Sequence, residues 1–367
     1  MTSISRRTFA RLGAATALAP YLPLRAQESG DRKLGIALLG LGDYATHQLA
    51  PALQETKHAR LTGIVTGSPE KVPTWQEKYA IPDGNVYNYD NFDEIADNKD
   101  IDIVYVVTPT GLHDEFSIRA AKAGKHVISE KPMAPTVEDC TRMIEAAEKN
   151  DVTLQIGYRL HWEPYNLRLI EAMKTKEFGD WKSISATNAS RMTNFTGLNK
   201  WRIGKELGIQ GALYDLGVYC VQGQLYSAQA RPLRVTANHS TERKDIFTEV
   251  PETYEWELEF EGGRKAAGMA SYGKSGNWLK VETDQGMIEL SPVYGYGGQK
   301  GSTPEGPMDF PHVNQQALQI DGQALAILKG EASKVPGEMG RRDIRVIRGI
   351  MEAADAGKPY EFGKFLY

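Results

Sequence analysis

Lys131 stands between an acid and a proline in the stretch SEKPMAP (129–135), directly after the apolar run KHVI. Open parallel sheets place their ligands just past the carboxyl ends of their strands, so this amine is a candidate for chemistry rather than packing. Asp215 and Tyr219 lie four residues apart in GALYDLGVYCVQGQLY (211–226), a spacing that puts both on one helix face. A hydroxyl whose carbon gives up hydride must also lose a proton, and a phenol accepts one poorly unless a cation stabilises its anion. Lys131 is expected to be that cation. At about 4 Å and an effective dielectric of about 20, a unit positive charge favours a phenolate by up to roughly 4 kcal/mol. Asp215 is then expected to orient the reacting hydroxyl. Taken singly, Lys131 also fits a surface lysine, Asp215 a helix-start cap and Tyr219 a core aromatic. Their joint occurrence with a nucleotide-type turn argues for a site.

That turn follows the apolar run LGIALLG (34–40), where Gly40-x-Gly42-x-x-Ala45 opens the segment GLGDYATHQLAPAL. Gly40 permits the tight turn, Gly42 lets the backbone approach a pyrophosphate, and a small Ala45 lets the helix close on the strand. Asp43 and Tyr44 lie inside the turn and join the expected cofactor contacts. An NAD site would place a carboxylate at the end of the second strand. Here Thr66, Gly67 and Ser68 precede Pro69, Glu70 and Lys71, and no acid ends the strand. NADP is therefore expected, with Ser68 and Lys71 at its 2'-phosphate. Against this, Ser68 could merely cap a helix and Glu70 could serve NAD. Further cofactor candidates are Thr108, Pro109 and His113 in VTPTGLH, Glu130 and Lys131, Arg159, and Trp201 and Arg202 in KWR. The substrate pocket is expected to draw on Lys131, Asp215 and Tyr219, with Arg159 and His161 from GYRLHWEP. Arg159 could equally be a buried salt-bridge partner, and Tyr158 reads as packing.

Elements that could position these residues are visible along the chain. Short apolar runs at 34–40, 60–66, 101–108, 125–129 and 153–158 alternate with helical stretches at 113–124 and 136–150, the pattern of a parallel sheet with helices on both faces. Beyond Tyr158 longer alternating runs appear, among them KSISATNASRM and TYEWELEFEGG. Gly-rich turns separate them, which predicts an antiparallel sheet with helices on one face and the other free. A free face of that breadth is expected to pack on another subunit. A loop dense in Gly and Pro spans 294–312, and GRRDIRVIRGIMEAADAG reads as a closing helix.

The 367 residues suffice for two domains, and 41% apolar with 25% charged is an ordinary globular balance. A net charge of -4 and a pI near 6.0 give no basic footprint for nucleic acid or membrane, so small molecules are the expected partners. Cys140 and Cys220 fall in helical patterns as small hydrophobes, and no disulfide is assigned. The seven histidines have neither the spacing nor the cysteine companions of a zinc site, so no metal is expected. At the N-terminus Arg6 and Arg7 precede a mildly apolar run from Phe9 to Leu22, with Ala26 at the cleavage position. Residues 1–26 thus look like a twin-arginine export signal, the alternative being an accidental basic N-terminus.

Taken in order, the Gly40 turn, EKP at 130–132, GYR at 157–159 and DLGVY at 215–219 resemble the glucose-fructose oxidoreductase or inositol dehydrogenase-like (Gfo/Idh/MocA) family. The likeness covers nearly the whole mature chain. It implies an α/β fold: an NADP-binding Rossmann domain (33–157), then an α+β domain (158–367) with an open-faced, mostly antiparallel sheet for sugar binding and oligomerisation. The resemblance also implies that Lys131 is catalytic and that the bond to Pro132 is often cis. Many relatives have histidine where this chain has Tyr219. Tyrosine resembles the glucose-fructose and aldose-aldose branch, as well as xylose and dihydrodiol dehydrogenases. Export to the periplasm as a folded protein implies a nucleotide that stays bound, because no free NADP exchanges there. The expected reaction oxidises an aldose at C1 to the lactone and returns the hydride to a second sugar carbonyl, giving an alditol. Alternatives are an NADP-dependent aldose dehydrogenase with exchangeable cofactor and a nicotinamide-dependent glycosidase. A homodimer or homotetramer through the open sheet is expected.

Overall fold

A computed structural model describes residues 32–363, so the twin-arginine segment lies outside the described residues. The first strand, β1 (Leu34–Leu39), is buried at every position, which is why its sequence reads as an unbroken apolar run. Around it form β2 (Ala59–Val65), β3 (Val86–Tyr87), β4 (Ile103–Val106), β5 (His126–Ser129) and β6 (Leu154–Ile156). All pair in parallel in the order β3-β2-β1-β4-β5-β6. The order reverses between β1 and β4, and the carboxyl ends of those two strands open the crevice where such sheets bind ligands.

Between the strands run α1 (Ala50–Ala52), α2 (Val72–Tyr79), α3 (His113–Lys122) and α4 (Val137–Lys149). The entry to α4 is a reciprocal cap: the Thr136 hydroxyl accepts from the Asp139 N–H, and the Asp139 carboxylate accepts from the Thr136 N–H, both at 3.1 Å. Two turns are wound as π-helix, Ala45–Leu49 after the phosphate turn and Leu213–Gly217 around Asp215. Such widened turns recur at functional sites.

After α5 (Pro164–Thr175) comes the second sheet: β7 (Trp181–Ala189), β8 (Arg234–Ser240), β9 (Thr253–Glu259), β10 (Lys265–Ser271), β11 (Gly276–Thr283), β12 (Gly286–Leu290), β13 (Gly301–Thr303), β14 (Gly306–Pro307) and β15 (Tyr360–Glu361). Its order is β14-β13-β12-β11-β7-β10-β9-β8-β15. Neighbours are antiparallel except β7 and β10, which run parallel. The two sheets form the α/β architecture expected from the sequence. Along β9, Tyr254, Trp256 and Leu258 are buried while Glu255, Glu257 and Glu259 reach outward, so one face packs on the helices. The outward acids pair with Lys274, Lys265 and Arg234. Beneath the packed face lies α6 (Val218–Ala228), buried on every side as an apolar helix must be.

The chain then returns to the first sheet. Helix α7 (Gln315–Lys329) contributes Ile320 and Ala324 to the apolar core formed by Ile36, Leu38 and Ile64. Its Asp321 carboxylate accepts from the N–H groups of Lys57 and His58, each at 2.8 Å. The amphipathic α8 (Gly337–Ala356) closes the fold. Cys140 and Cys220 are free and buried, and among the described residues no helix is long and apolar enough to cross a membrane.

Candidate active site

The glycine turn is built as its sequence demands. Gly40 has φ +98°, and a Cβ there would stand 2.9 Å from the Val107 carbonyl oxygen. Space around Gly42 is open, with nothing within 4 Å of a would-be Cβ, and Ala45 is fully buried against the strand. A groove of about 240 Å³ runs over this turn, lined by Gly40, Gly42, Asp43, Tyr44, Thr66, Ser68, Lys71, Thr108, Pro109, Trp201 and Arg202. Ser68 does not cap the following helical turn, and Lys71 Nζ donates to the Leu41 carbonyl at 2.8 Å, bridging the end of β2 to the phosphate turn. Glu70 is exposed and outside the lining. The Thr108 hydroxyl is buried without a partner beside the groove. Open backbone at Gly42, a cation at Lys71 and an orphaned hydroxyl fit a nicotinamide dinucleotide. The groove's outer wall is the segment carrying Leu198, Trp201 and Arg202, with the guanidinium 4.5 Å over the indole. The Gly111 N–H donates to the Leu207 carbonyl at 3.1 Å, tying this segment to the end of β4.

Next to the groove, and sharing Tyr44, Thr108, Trp201 and Arg202 with it, is a cavity of about 120 Å³. Glu130, Lys131, Asp215 and Tyr219 line it, together with Thr110, His113 and Tyr296. The Lys131–Pro132 bond is cis. Lys131 Nζ donates to the main-chain carbonyl of Asp215 at 3.0 Å, stands 3.6 Å from its carboxylate and lies 4.6 Å from the centre of the Tyr219 ring. The carbonyl that receives it belongs to the π-wound turn. Asp215 also accepts from Arg202 Nε at 3.1 Å and from the Tyr272 hydroxyl at 2.8 Å. It is therefore an ion-pair partner inside a widened turn, not a helix-start cap. Burial works against its carboxylate, yet Arg202 and Lys131 outweigh burial and hold its pKa below the usual range. Burial likewise opposes the Lys131 charge, but Tyr219, Asp215 and Glu130 raise its pKa above that of a free lysine. Glu130 shows the opposite balance: burial pushes its pKa up, although the Tyr105 hydroxyl donates to it at 2.6 Å. A fixed ammonium thus stands beside a carboxylate and a phenol.

Two expected pocket residues sit elsewhere. Arg159 does not line the cavity and is only 1% exposed; it lies behind Tyr219 and donates to its hydroxyl at 3.3 Å. Among the described residues no carboxylate pairs with it, so the salt-bridge alternative also gives way to neutral acceptors. His161 belongs to the same 3-10 turn, Arg159–Trp162, but points to a separate cavity shared with Tyr226, Met339 and Arg342. Two positions apart on a tight turn, these side chains leave on different sides. Burial lowers the His161 pKa to about 3. His113 reaches the cavity edge as a bracket, its ring nitrogens 2.8 Å from the Thr108 carbonyl and 2.9 Å from that of Pro132. Burial pushes its pKa down against both carbonyls. Sequence reasoning missed Tyr272, Thr110 and Tyr296. Thr110 carried a signal through the stretch VTPTGLH and Tyr296 through its place in the loop at 294–312, whereas Tyr272 carried none. Among the described residues no group of three or more His, Cys, Asp or Glu is placed to hold a metal ion.

Comparison with known proteins places the chain among oxidoreductases of the same fold. The chain is 37% identical to an aldose-aldose oxidoreductase from Caulobacter crescentus whose crystal structure contains glycerol, with a TM-score of 0.86 over 90% of this chain and 100% of that one. It is 26% identical to the NADP(+) D-xylose 1-dehydrogenase of Haloarcula marismortui, covering 90% of this chain and 93% of the relative. The NADP(+) scyllo-inositol 2-dehydrogenase of Bacillus subtilis is also 26% identical, over 88% and 93%. Residues 34–158 match the oxidoreductase family with an NAD-binding Rossmann fold, and residues 167–289 match the GFO/IDH/MocA C-terminal domain. With both halves matched, the chain belongs to the GFO/IDH/MocA family of oxidoreductases.

Proposed function

We propose that this protein is an exported aldose oxidoreductase that keeps NADP bound and uses it alternately on two sugars. The observation that carries the reading is the meeting of Lys131, Asp215 and Tyr219 in one cavity continuous with the nucleotide groove. Bound nicotinamide would accept hydride from the C1 carbon of an aldose and return it to the carbonyl of a second sugar. Tyr219 takes the C1 hydroxyl proton in the first half and gives it back in the second, so the lactone and the alditol leave with no net proton change. Lys131 stabilises the phenolate that opens the first half and is restored by the second, and Asp215, held by Arg202 and Tyr272, receives a hydrogen bond from the sugar and fixes its rotation. Preference for NADP is supported by Ser68 and Lys71 in the groove and by the exposed placement of Glu70. Retention is supported by the wall of Leu198, Trp201 and Arg202. The 37% identity to an aldose-aldose oxidoreductase favours the two-sugar cycle.

A second reading, an NADP-dependent aldose dehydrogenase that exchanges its nucleotide, is favoured by the full-length likeness to the xylose enzyme. Purification without added nucleotide, followed by glucose alone, separates the two. Lactone and alditol in equal amounts support the two-sugar cycle; turnover only after NADP is supplied supports the second reading. Assembly through the open sheet belongs to the proposal as well, since Ala267, Met269 and Glu257 there border a shallow groove of about 450 Å³ suited to a second copy.

A further inference from the structure

Arg159 is the largest fully buried side chain among the described residues, and burying a guanidinium without a carboxylate costs several kcal/mol unless other groups compensate. Its partners show where the compensation comes from. Nε donates to the Tyr219 hydroxyl at 3.3 Å, one terminal nitrogen donates to the Gly295 carbonyl at 3.0 Å and to the Gln315 side-chain oxygen, and the other donates to the Tyr294 carbonyl at 2.5 Å. Its central carbon also lies 5.1 Å from the centre of the Tyr219 ring and 4.7 Å from that of Tyr296. One end of the guanidinium therefore grips the root of the 294–312 loop while the other touches the phenol. That loop supplies Tyr296 to the wall of the cavity. On its strand side it is pinned by Asn277, whose side-chain oxygen accepts from the N–H groups of Val293 at 2.7 Å and Tyr294 at 2.9 Å.

We propose that Arg159 is a positioning residue that ties seating of the loop at Tyr294–Tyr296 to proton acceptance by Tyr219. With the loop seated, its carbonyls hold the guanidinium against the phenol oxygen and favour the anion. With the loop lifted, the guanidinium loses two carbonyl anchors and draws away. The proposal rests on Tyr219 being the proton acceptor of the reading above. Around Tyr219 stand Glu130 and Lys131 from the end of β5, Tyr44 from the phosphate turn, Asp215 one turn earlier in the same helical segment, and Tyr294 and Tyr296 from the loop. Of these charged neighbours Lys131 faces the ring, whereas Arg159 meets the hydroxyl.

The test uses the nucleotide-loaded protein and four variants: Arg159→Gln, Arg159→Lys, Gln315→Leu and Tyr219→Phe. Two quantities are read: the pH dependence of single-turnover reduction of bound nucleotide by glucose, and the rate of tryptic cleavage after the exposed Lys300 of the loop. Arg159→Gln is expected to move the acid limb of the rate profile up by about one pH unit or more and to speed cleavage. Arg159→Lys keeps the charge but not the fork, so it speeds cleavage with a smaller shift. Gln315→Leu, which touches only the loop side, is expected to do both weakly. An unmoved acid limb in folded Arg159 variants overturns the proposal, since a merely structural arginine lowers stability without moving the limb. Should Arg159→Gln fail to fold, Gln315→Leu decides: faster cleavage with an unmoved limb is refuting. A fully active Tyr219→Phe would sink the underlying reading instead, and an inactive Tyr219→Phe beside unshifted Arg159 variants sinks this inference alone.

Discussion

Replacing Lys131 by Met removes one charge while keeping a side chain of similar length, and the structure sets the size of the effect. The ammonium stands 4.6 Å from the centre of the Tyr219 ring. At that distance and an effective dielectric of about 20, its attraction for a charge developing on the phenol is at most about 3.6 kcal/mol, which corresponds to roughly 400-fold in rate. Fold stability should change much less, because Asp215 keeps Arg202 and Tyr272 as partners and the thioether fills the space of the alkyl stem. The assay is single-turnover reduction of the bound nucleotide on addition of glucose, followed through its absorbance across a range of pH. Expected is a fall of about two orders of magnitude near neutral pH. A variant that retains its nucleotide and stays within roughly threefold of the parent at every pH would refute the reasoning, because no interaction worth more than about 0.7 kcal/mol would then act on the transition state.

Three further outcomes are expected. For His161→Gln, acid stability should improve relative to the parent: the buried ring has a pKa of about 3 against an ordinary 6.5, so the unfolded chain alone binds a proton as pH falls through that window. About 2.7 kcal/mol is then lost by about pH 4.5 in the parent and spared in the variant, as thermal melts at that pH and at pH 7 would reveal. Gly40→Ala forces a side chain into φ +98° against the Val107 carbonyl, and it should cost about 1–3 kcal/mol in denaturant titrations and abolish copurifying nucleotide. Met269→Glu, placed on the open sheet face, should shift the assembly to a smaller species in sedimentation velocity while leaving single-turnover chemistry unchanged.

Much of this molecule could be read from its sequence, for identifiable reasons. Strands buried on both faces announce themselves as apolar runs, so β1 and β4 were expected where they occur, and the largely buried β2 and β5 were legible from shorter apolar cores. The two-residue β3 is too short to carry any periodicity. Alternation in the second half encodes which face is buried but not strand direction, so the parallel pairing of β7 with β10 had no signal. In the site, Lys131, Asp215 and Tyr219 were legible because motif and spacing are local properties. The role of Arg159 was not, since its partners lie 60 and 135 or more residues away. Nor does spacing alone reveal that the turn holding Asp215 is π-wound, which presents its carbonyl to Lys131. His161 was misplaced because proximity to Arg159 in sequence says little about direction on a 3-10 turn.

The return of α7 to the first sheet bears on biosynthesis. Ile320, Ala324 and the Asp321 clasp complete the core beneath β1 and β2, and Gln319 donates at 2.8 Å to the Tyr105 hydroxyl that supports Glu130. A ribosome that has made only the first half of the polypeptide has therefore produced a nucleotide-binding unit with an uncovered flank. That flank is closed only once the chain has been made as far as Ala324, so completion of the first sheet's packing is a late event in synthesis.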